Sequence, residues 1–255
     1  MIPGLSWWIY PALFATGLAA GFVDSIAGGG GLLTLPVLLG VGFRGQEALA
    51  INKLQAIFGS GSAAWNYSRL GAVSFNQCKT GIVFTVFGAA VGTLLVQHLN
   101  QELLHRALPA LLLLIALVVL LKPSLGEKDI HPRLGWRSFY VGAGLTLGFY
   151  DGFFGPGTGT FWTMAFMLGL GFNLTKATGH TKVMNFASNA TSVVLFLPDA
   201  QAHFGIGVVM GIGQLIGARI GSGMVVTRGT KFIRPIFLTM VILLALKLTY
   251  TAWWK

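Results

Sequence analysis

Acidic side chains are scarce in this chain: Asp and Glu number 7 in 255 residues, and charged residues of both signs make up 9%. A soluble domain usually carries about 25%. With 54% hydrophobic residues and a mean hydropathy of +0.74, the chain cannot cover a water-facing surface, so lipid must be the solvent for most of it. Cysteine is nearly missing too. Cys78 stands alone, which excludes an intrachain disulfide. No basic residue precedes the first apolar run at Trp7, and a cleaved signal peptide needs a charged n-region, so the N-terminal segment is expected to be retained.

Constellations that carry chemistry are also lacking. There is no Ser-His-Asp, Cys-His or paired-glutamate arrangement, and His98, His105, His131, His180 and His203 show no metal-ligand spacing. No Gly-Lys-Ser or Gly-Lys-Thr follows the glycine-rich segments, so a phosphate-loop reading is weak. These absences argue against an enzyme and leave no catalytic residue, metal or cofactor to expect. The 17 basic residues give a formal charge of +10, which in a soluble protein would point to nucleic acid. Here they lie mostly in short gaps between apolar stretches, the mark of the positive-inside bias. The expected partners are a lipid bilayer and no nucleic acid, with a homo-oligomer left open.

What is present is a series of ten apolar stretches: Trp7–Ala27, Leu32–Phe43, Ala48–Trp65, Gly81–Gln97, Leu103–Leu121, Phe139–Phe154, Thr160–Phe172, Val183–Leu197, Phe204–Val226 and Ile233–Trp254. Crossing the hydrocarbon core takes about 20 helical residues, so Leu32–Phe43 and Thr160–Phe172 are too short. Each follows a glycine-rich break, Ala27–Gly31 or Phe154–Gly159. One helix from Trp7 to Phe43 would be about 55 Å long, nearly twice the core, so the first break must be real.

The breaks reveal a duplication. Asp24, Gly28 and Gly30 recur as Asp151, Gly155 and Gly157; Asn52-Lys53 is answered by Thr181-Lys182; Gly88 and Gly92 by Gly213 and Gly217; Arg106 by Arg234, all at separations of 125 to 129 positions. The chain divides into a first membrane repeat (1–121), a connecting loop (122–137) and a second repeat (138–255). If each short segment continued across the membrane, the loop charges would divide 7 to 6 between the two sides. If each folds back, Arg69, Lys79, Lys122, Lys128, Arg133, Arg137, Lys176, Arg228, Lys231 and Arg234 share one side and only Arg44, Arg106 and Lys255 lie opposite. The second split obeys the positive-inside rule. The expected fold is an all-α integral membrane protein of two inverted repeats, each a glycine-broken helix pair plus three membrane-spanning helices. Both termini then lie outside and the 122–137 loop is cytoplasmic.

Broken helices expose backbone amides at membrane depth, which survive only inside protein or facing a cavity. Helices that start after the breaks aim positive dipole ends at that cavity, the layout of secondary transporters for anions. The candidate substrate-binding residues are Gly28, Gly29, Gly30, Gly31, Asn52, Lys53 and Gln55 in the first half. In the second they are Gly155, Gly157, Thr158, His180, Thr181, Lys182 and Asn185. Asn52, Gln55, Ser62 and Asn66 form a polar stripe; Thr178, Thr181, Asn185, Ser188 and Ser192 repeat it. Lys53 and Lys182 either neutralise an anion, or snorkel or pair with the nearer aspartate. Asp24 and Asp151 are structural caps of the loosened glycine backbone or proton-coupling groups. Two helix ends of about half a charge each, with a lysine, would suit a dianion. The alternative to a carrier is a passive anion channel.

At these motifs the chain resembles the sulfite exporter TauE/SafE family and its YfcA-like branch. The resemblance rests on Gly21-Phe22-Val23-Asp24-Ser25-Ile26-Ala27 running into Gly28–Thr34, on Asn52-Lys53-Leu54-Gln55, on Gly148–Pro156, on Gly171–Thr178 and on Gly217-Ala218-Arg219. It implies a multi-pass transporter of the bacterial cytoplasmic membrane for sulfite, sulfonates or related organic anions. The topology is testable. Ile2→Cys and Lys255→Cys should be labelled by an impermeant thiol reagent in intact cells and Ser124→Cys should not; labelling of Ser124→Cys would contradict the inverted arrangement.

Overall fold

The computed structural model describes residues 7–98, 128–200 and 203–228. The expected spans 103–121 and 233–254, both termini, and Ser124, Arg106 and Arg234 lie outside the described residues. Eight α-helices form among those described: α1 Ile9–Ala27, α2 Gly30–Val41, α3 Gly45–Arg69, α4 Phe75–Gln97, α5 Trp136–Phe153, α6 Thr158–Gly169, α7 Leu174–Ala200 and α8 Phe204–Arg228. Of these, α1, α4 and α8 are long and apolar enough to cross a membrane. The helices α3 and α7 are as long or longer, at 25 and 27 residues, but carry the polar stripes.

Both breaks occur at glycine because the chain there needs left-handed backbone. Gly28 ends α1 at φ 78°, donating to the Asp24 carbonyl, and Gly155 and Gly157 sit at φ 96° and 80° between α5 and α6. The short helices α2 and α6 each have 12 residues, about 18 Å of rise, and start two positions earlier than the apolar pattern implies, at Gly30 and Thr158. After the second break the chain doubles back: Phe161 on α6 meets Tyr150 on α5, and Phe166 meets Phe139. Local caps fix other helix starts. Glu47 accepts from the Arg44 amide at the start of α3, and Asn173 caps α7 by accepting from the Lys176 amide.

Contacts set the helix directions. Along α4 and α5, Gly88 lies against Leu145 and Phe149, and Gly92 against Phe149 and Phe153, so the two run parallel. Gly213 and Gly217 of α8 approach Phe14, Leu18 and Phe22 of α1 in the same way. Asn66 on α3 donates to Ser222 on α8 at 2.8 Å, and Leu54 packs under Gly207, so α3 also runs with α8. Thr85–Met184 and Thr93–Ser192 contacts align α4 with α7. The stripe-bearing helices α3 and α7 are antiparallel, with Tyr67 at Gly179 and Phe186 at Gly61. So α1, α3 and α8 point one way and α4, α5 and α7 the other. The fourth helix of each half packs on the first helix of the other.

Two apolar clusters follow from this arrangement. One gathers Leu13, Leu35, Leu38, Ile51 and Met210; the other gathers Tyr67, Tyr140, Trp162, Phe166 and Val225. Along α3, α7 and α8 alike, the polar residues Asn52–Gln55, Asn185–Ser192 and Gln214 fall between the stretches that feed the two clusters. The structure is thus a polar layer between two apolar plugs. The opposite face of α4, with Val83, Phe87, Val91 and Leu94, is exposed, as a lipid-facing surface would be.

The glycine contacts bring backbones close, and a methyl group is enough to test them. At Gly92 it would land on the Phe149 carbonyl oxygen, whereas at Gly142 it meets nothing within 4 Å. Gly92→Ala should lower the unfolding temperature in detergent, at about 1–3 kcal/mol of overpacking. Gly142→Ala should be neutral or stabilising, since alanine favours helix by about 1 kcal/mol. Equal behaviour of the two would contradict the close α4–α5 contact.

Candidate functional site

The two glycine breaks touch. A methyl on Gly159 would lie 2.5 Å from the Gly28 Cα, and one on Gly31 would lie 3.3 Å from the Pro156 Cα. Thr160 Oγ1 donates to the Ala27 carbonyl at 2.8 Å, tying the start of α6 to the end of α1. Backbones meet this closely only because neither break carries side-chain bulk there.

Around the breaks stand two buried ion pairs. Lys53 Nζ lies 2.6 Å from Asp151 Oδ1 and also donates to the Asp151 main-chain carbonyl; Lys182 Nζ lies 2.8 Å from Asp24 Oδ2. The lysines neither snorkel nor pair with the aspartate nearer in sequence. Each crosses to the other half, because α3 of the first half faces the α5–α6 break and α7 of the second faces the α1–α2 break. Asp24 Oδ1 also accepts from the Gly30 amide at 3.1 Å, the cap expected of it. Asp151 instead accepts from the Ser188 hydroxyl on Oδ2. The pairing alters the charge reading as well. Neither ammonium is free to meet a dianion while its carboxylate stays in place.

Between the breaks lies a small cavity of about 30 Å³, room for roughly two waters. Its walls include Asp24, Gly28, Gly30, Gly31, Asn52, Lys53, Asp151, Gly155, Gly157, Thr158 and Asn185. The first turns of α2 and α6 therefore both open onto it. Asn52 is oriented for donation: its Oδ1 accepts from Thr34 Oγ1 at 2.6 Å and Gln55 Nε2 at 3.2 Å, which leaves its amide N–H groups for the cavity. The equivalent contact in the second half joins Thr163 and Thr181 at 3.0 Å.

Five candidates do not reach the cavity wall. Gln55 stands behind Asn52, Thr181 behind Thr163, and Lys182 behind Asp24. Gly29 caps α2, and a methyl there would meet only Leu32. His180 is caged by Phe166, Phe172 and Trp136 at ring distances of 5.5, 4.8 and 6.4 Å, and its Nδ1–H donates to the Lys176 carbonyl. Four residues join the wall that the sequence reading did not single out: Ala56, Gly159, Asn189 and Gln214. Asn189 lies four positions beyond Asn185, so helical spacing already placed it on the stripe face. Gln214 is the polar interruption of an apolar helix, but its counterpart in the first half is Ala89, so the duplication gave no signal.

Comparison with known proteins finds similarity to membrane transporters. A family model described as sulfite exporter TauE/SafE matches residues 13–248. The probable membrane transporter protein YfcA of Escherichia coli (strain K12) is 44% identical over 238 residues, 93% of this chain and 88% of that protein. A probable membrane transporter protein of Haemophilus influenzae is 43% identical over 242 residues, 95% of each chain. The probable membrane transporter protein YdhB of Bacillus subtilis is 23% identical over 243 residues, 91% of this chain and 97% of that protein. No solved structure matches this chain. A match across nearly all of the chain, on a bundle of apolar helices around a buried polar site, means that the protein belongs to the sulfite exporter TauE/SafE family of membrane transporters.

Proposed function

We propose that this protein is a secondary carrier of a small anion of the sulfur oxyanion or organosulfonate class, working by alternating access in the bacterial cytoplasmic membrane. The observation that carries the reading is the cavity at the meeting point of the two breaks, walled by the first turns of α2 and α6 and by Asn52, Asn185, Asn189 and Gln214. Backbone and side-chain amides offer the donors that an oxyanion accepts from, and the family match supplies the sulfur oxyanion class.

Two inverted repeats underlie the mechanism we infer. The opposed courses of α3 and α7, and of the α1–α8 and α4–α5 pairs, support a pseudo-two-fold axis in the membrane plane through the cavity. The same axis exchanges the two apolar clusters, so each is suited to closing the site from one side while the other opens. A cavity of only about 30 Å³ is too small to serve as a conducting pore, which favours the carrier over a passive channel.

Purified protein in liposomes should show saturable counterflow of labelled sulfite or 2-hydroxyethanesulfonate. Flux that rises linearly with concentration, carried as a conductance, would instead identify a channel. Gln214→Leu should raise the half-saturating concentration roughly tenfold or more, as a hydrogen bond to a charged group is worth about 1.5–3 kcal/mol. An unchanged value would remove Gln214 from the site.

A further inference from the structure

The two crossed ion pairs are equivalent in the sequence and unlike in the structure. Asp151 is fully engaged: Lys53 bridges its main-chain carbonyl and Oδ1, Ser188 donates to Oδ2, and the side chain is 4% exposed. Asp24 is held by the Gly30 amide on Oδ1 and by Lys182 on Oδ2, and its side chain is 18% exposed and borders the cavity. Lys182 is wholly buried behind it, and Asp24 Oδ2 is its one acceptor among the described residues. The cause lies in the sequence. The first-half counterpart of Ser188, 129 positions earlier, is Gly59, so among the described residues no hydroxyl bonds to Asp24; Gln214 leans over that glycine instead.

Charge balance then restricts how an anion can enter. Two lysines and two aspartates leave the cavity formally neutral. The positive ends of α2 and α6 add little net charge, because each faces the negative C-terminal end of α1 or α5 across its own break. An anion placed there is uncompensated in a low-dielectric interior. Around the cavity, however, several donor-bearing groups stand ready. The side chains of Asn185, Asn189 and Gln214, 6%, 6% and 2% exposed, make no hydrogen bond among the described residues, so their amide N–H groups are left to donate.

We propose that Asp24 takes up one proton as the anion enters, so that the site binds a singly charged oxyanion and a proton together. The inference rests on the carrier reading above. The proton adds to Asp24 Oδ2, the bridge to Lys182 opens, and the Lys182 ammonium keeps its charge. The site then holds one net positive charge, matched by a monoanion such as a sulfonate, while the neutral carboxyl becomes a donor to it. On release the proton returns to water and the Asp24–Lys182 bridge closes again. The Lys53–Asp151 pair stays shut throughout. The titratable groups facing Asp24 are Lys182 from α7 and Tyr67 from α3, whose hydroxyl is committed to the Ser25 carbonyl at 2.8 Å, with Lys53 and Asp151 also on the cavity side; Gly30 and Gln214 are uncharged.

Calorimetry tests this on purified full-length protein. The probe is 2-hydroxyethanesulfonate, whose charge does not change between pH 5.5 and 8, titrated in two buffers of different ionisation heat. The wild type should take up about one proton per anion bound, so that affinity falls about tenfold per pH unit wherever that uptake is measured. Asp24→Asn keeps the Oδ1 acceptor for Gly30 and should bind without proton uptake and without that slope. Asp151→Asn should bind more weakly yet still take up the proton. Anion binding by wild type with no net proton uptake overturns the proposal, as does uptake that survives in Asp24→Asn. If Asp24→Asn does not fold, the wild-type proton count decides alone. No binding of 2-hydroxyethanesulfonate, methanesulfonate or sulfate by wild type would instead remove the anion-carrier reading, and this inference with it.

Discussion

A lysine ammonium carried to the middle of an apolar helix bundle must find a carboxylate, and here Lys53 and Lys182 each find one in the other half of the chain. Removing one partner from such a pair leaves an uncompensated buried charge, a cost of about 3–5 kcal/mol. The pairs therefore tie the α3 helix to the α5–α6 break and the α7 helix to the α1–α2 break. The glycine contacts act in the same direction. Because α4 packs on α5 and α8 on α1, each half completes the other, and the breaks are pressed together at the centre. A site at that centre belongs to neither half alone.

This dependence also explains why the polar layer can exist in lipid. Backbone groups freed at the breaks are re-engaged locally, as by Gly28 on the Asp24 carbonyl and Thr160 on the Ala27 carbonyl, and an apolar cluster packs on either side of them. At the cavity itself the side chains of Asn185, Asn189 and Gln214 make no hydrogen bond among the described residues, as the wall of a binding site would. Near-symmetry gives the architecture two plugs of similar construction. The departures from symmetry, Ser188 against Gly59 and Gln214 against Ala89, give the two ion pairs different work.

Much of this was legible in the sequence. Two segments too short to span, each after a glycine cluster, located both breaks, and matched intervals suggested the duplication on which the proposed mechanism draws. Most of the glycines named from it, together with Asn52, Lys53, Thr158 and Asn185, do line the cavity. What could not be read was partner choice. A duplicated sequence offers two equivalent aspartates to each lysine, and only the approach of helices from different halves decides between them. Spacing explains the other differences. His180 lies two positions from Lys182, and residues so spaced do not share a helix face, so its ring turns into the aromatic cluster. Gln55 shares the Asn52 face but spends its amide on orienting Asn52.

The central claim is that the ion pairs cross between halves, and double-mutant cycles on unfolding in detergent test it most directly. Lys53→Met with Asp151→Asn, and Lys182→Met with Asp24→Asn, should each show a coupling of about 1–3 kcal/mol, the range for residues in direct contact. The within-half combinations Lys53 with Asp24 and Lys182 with Asp151 should be close to additive. Strong coupling within each half, with additivity across them, would contradict the account.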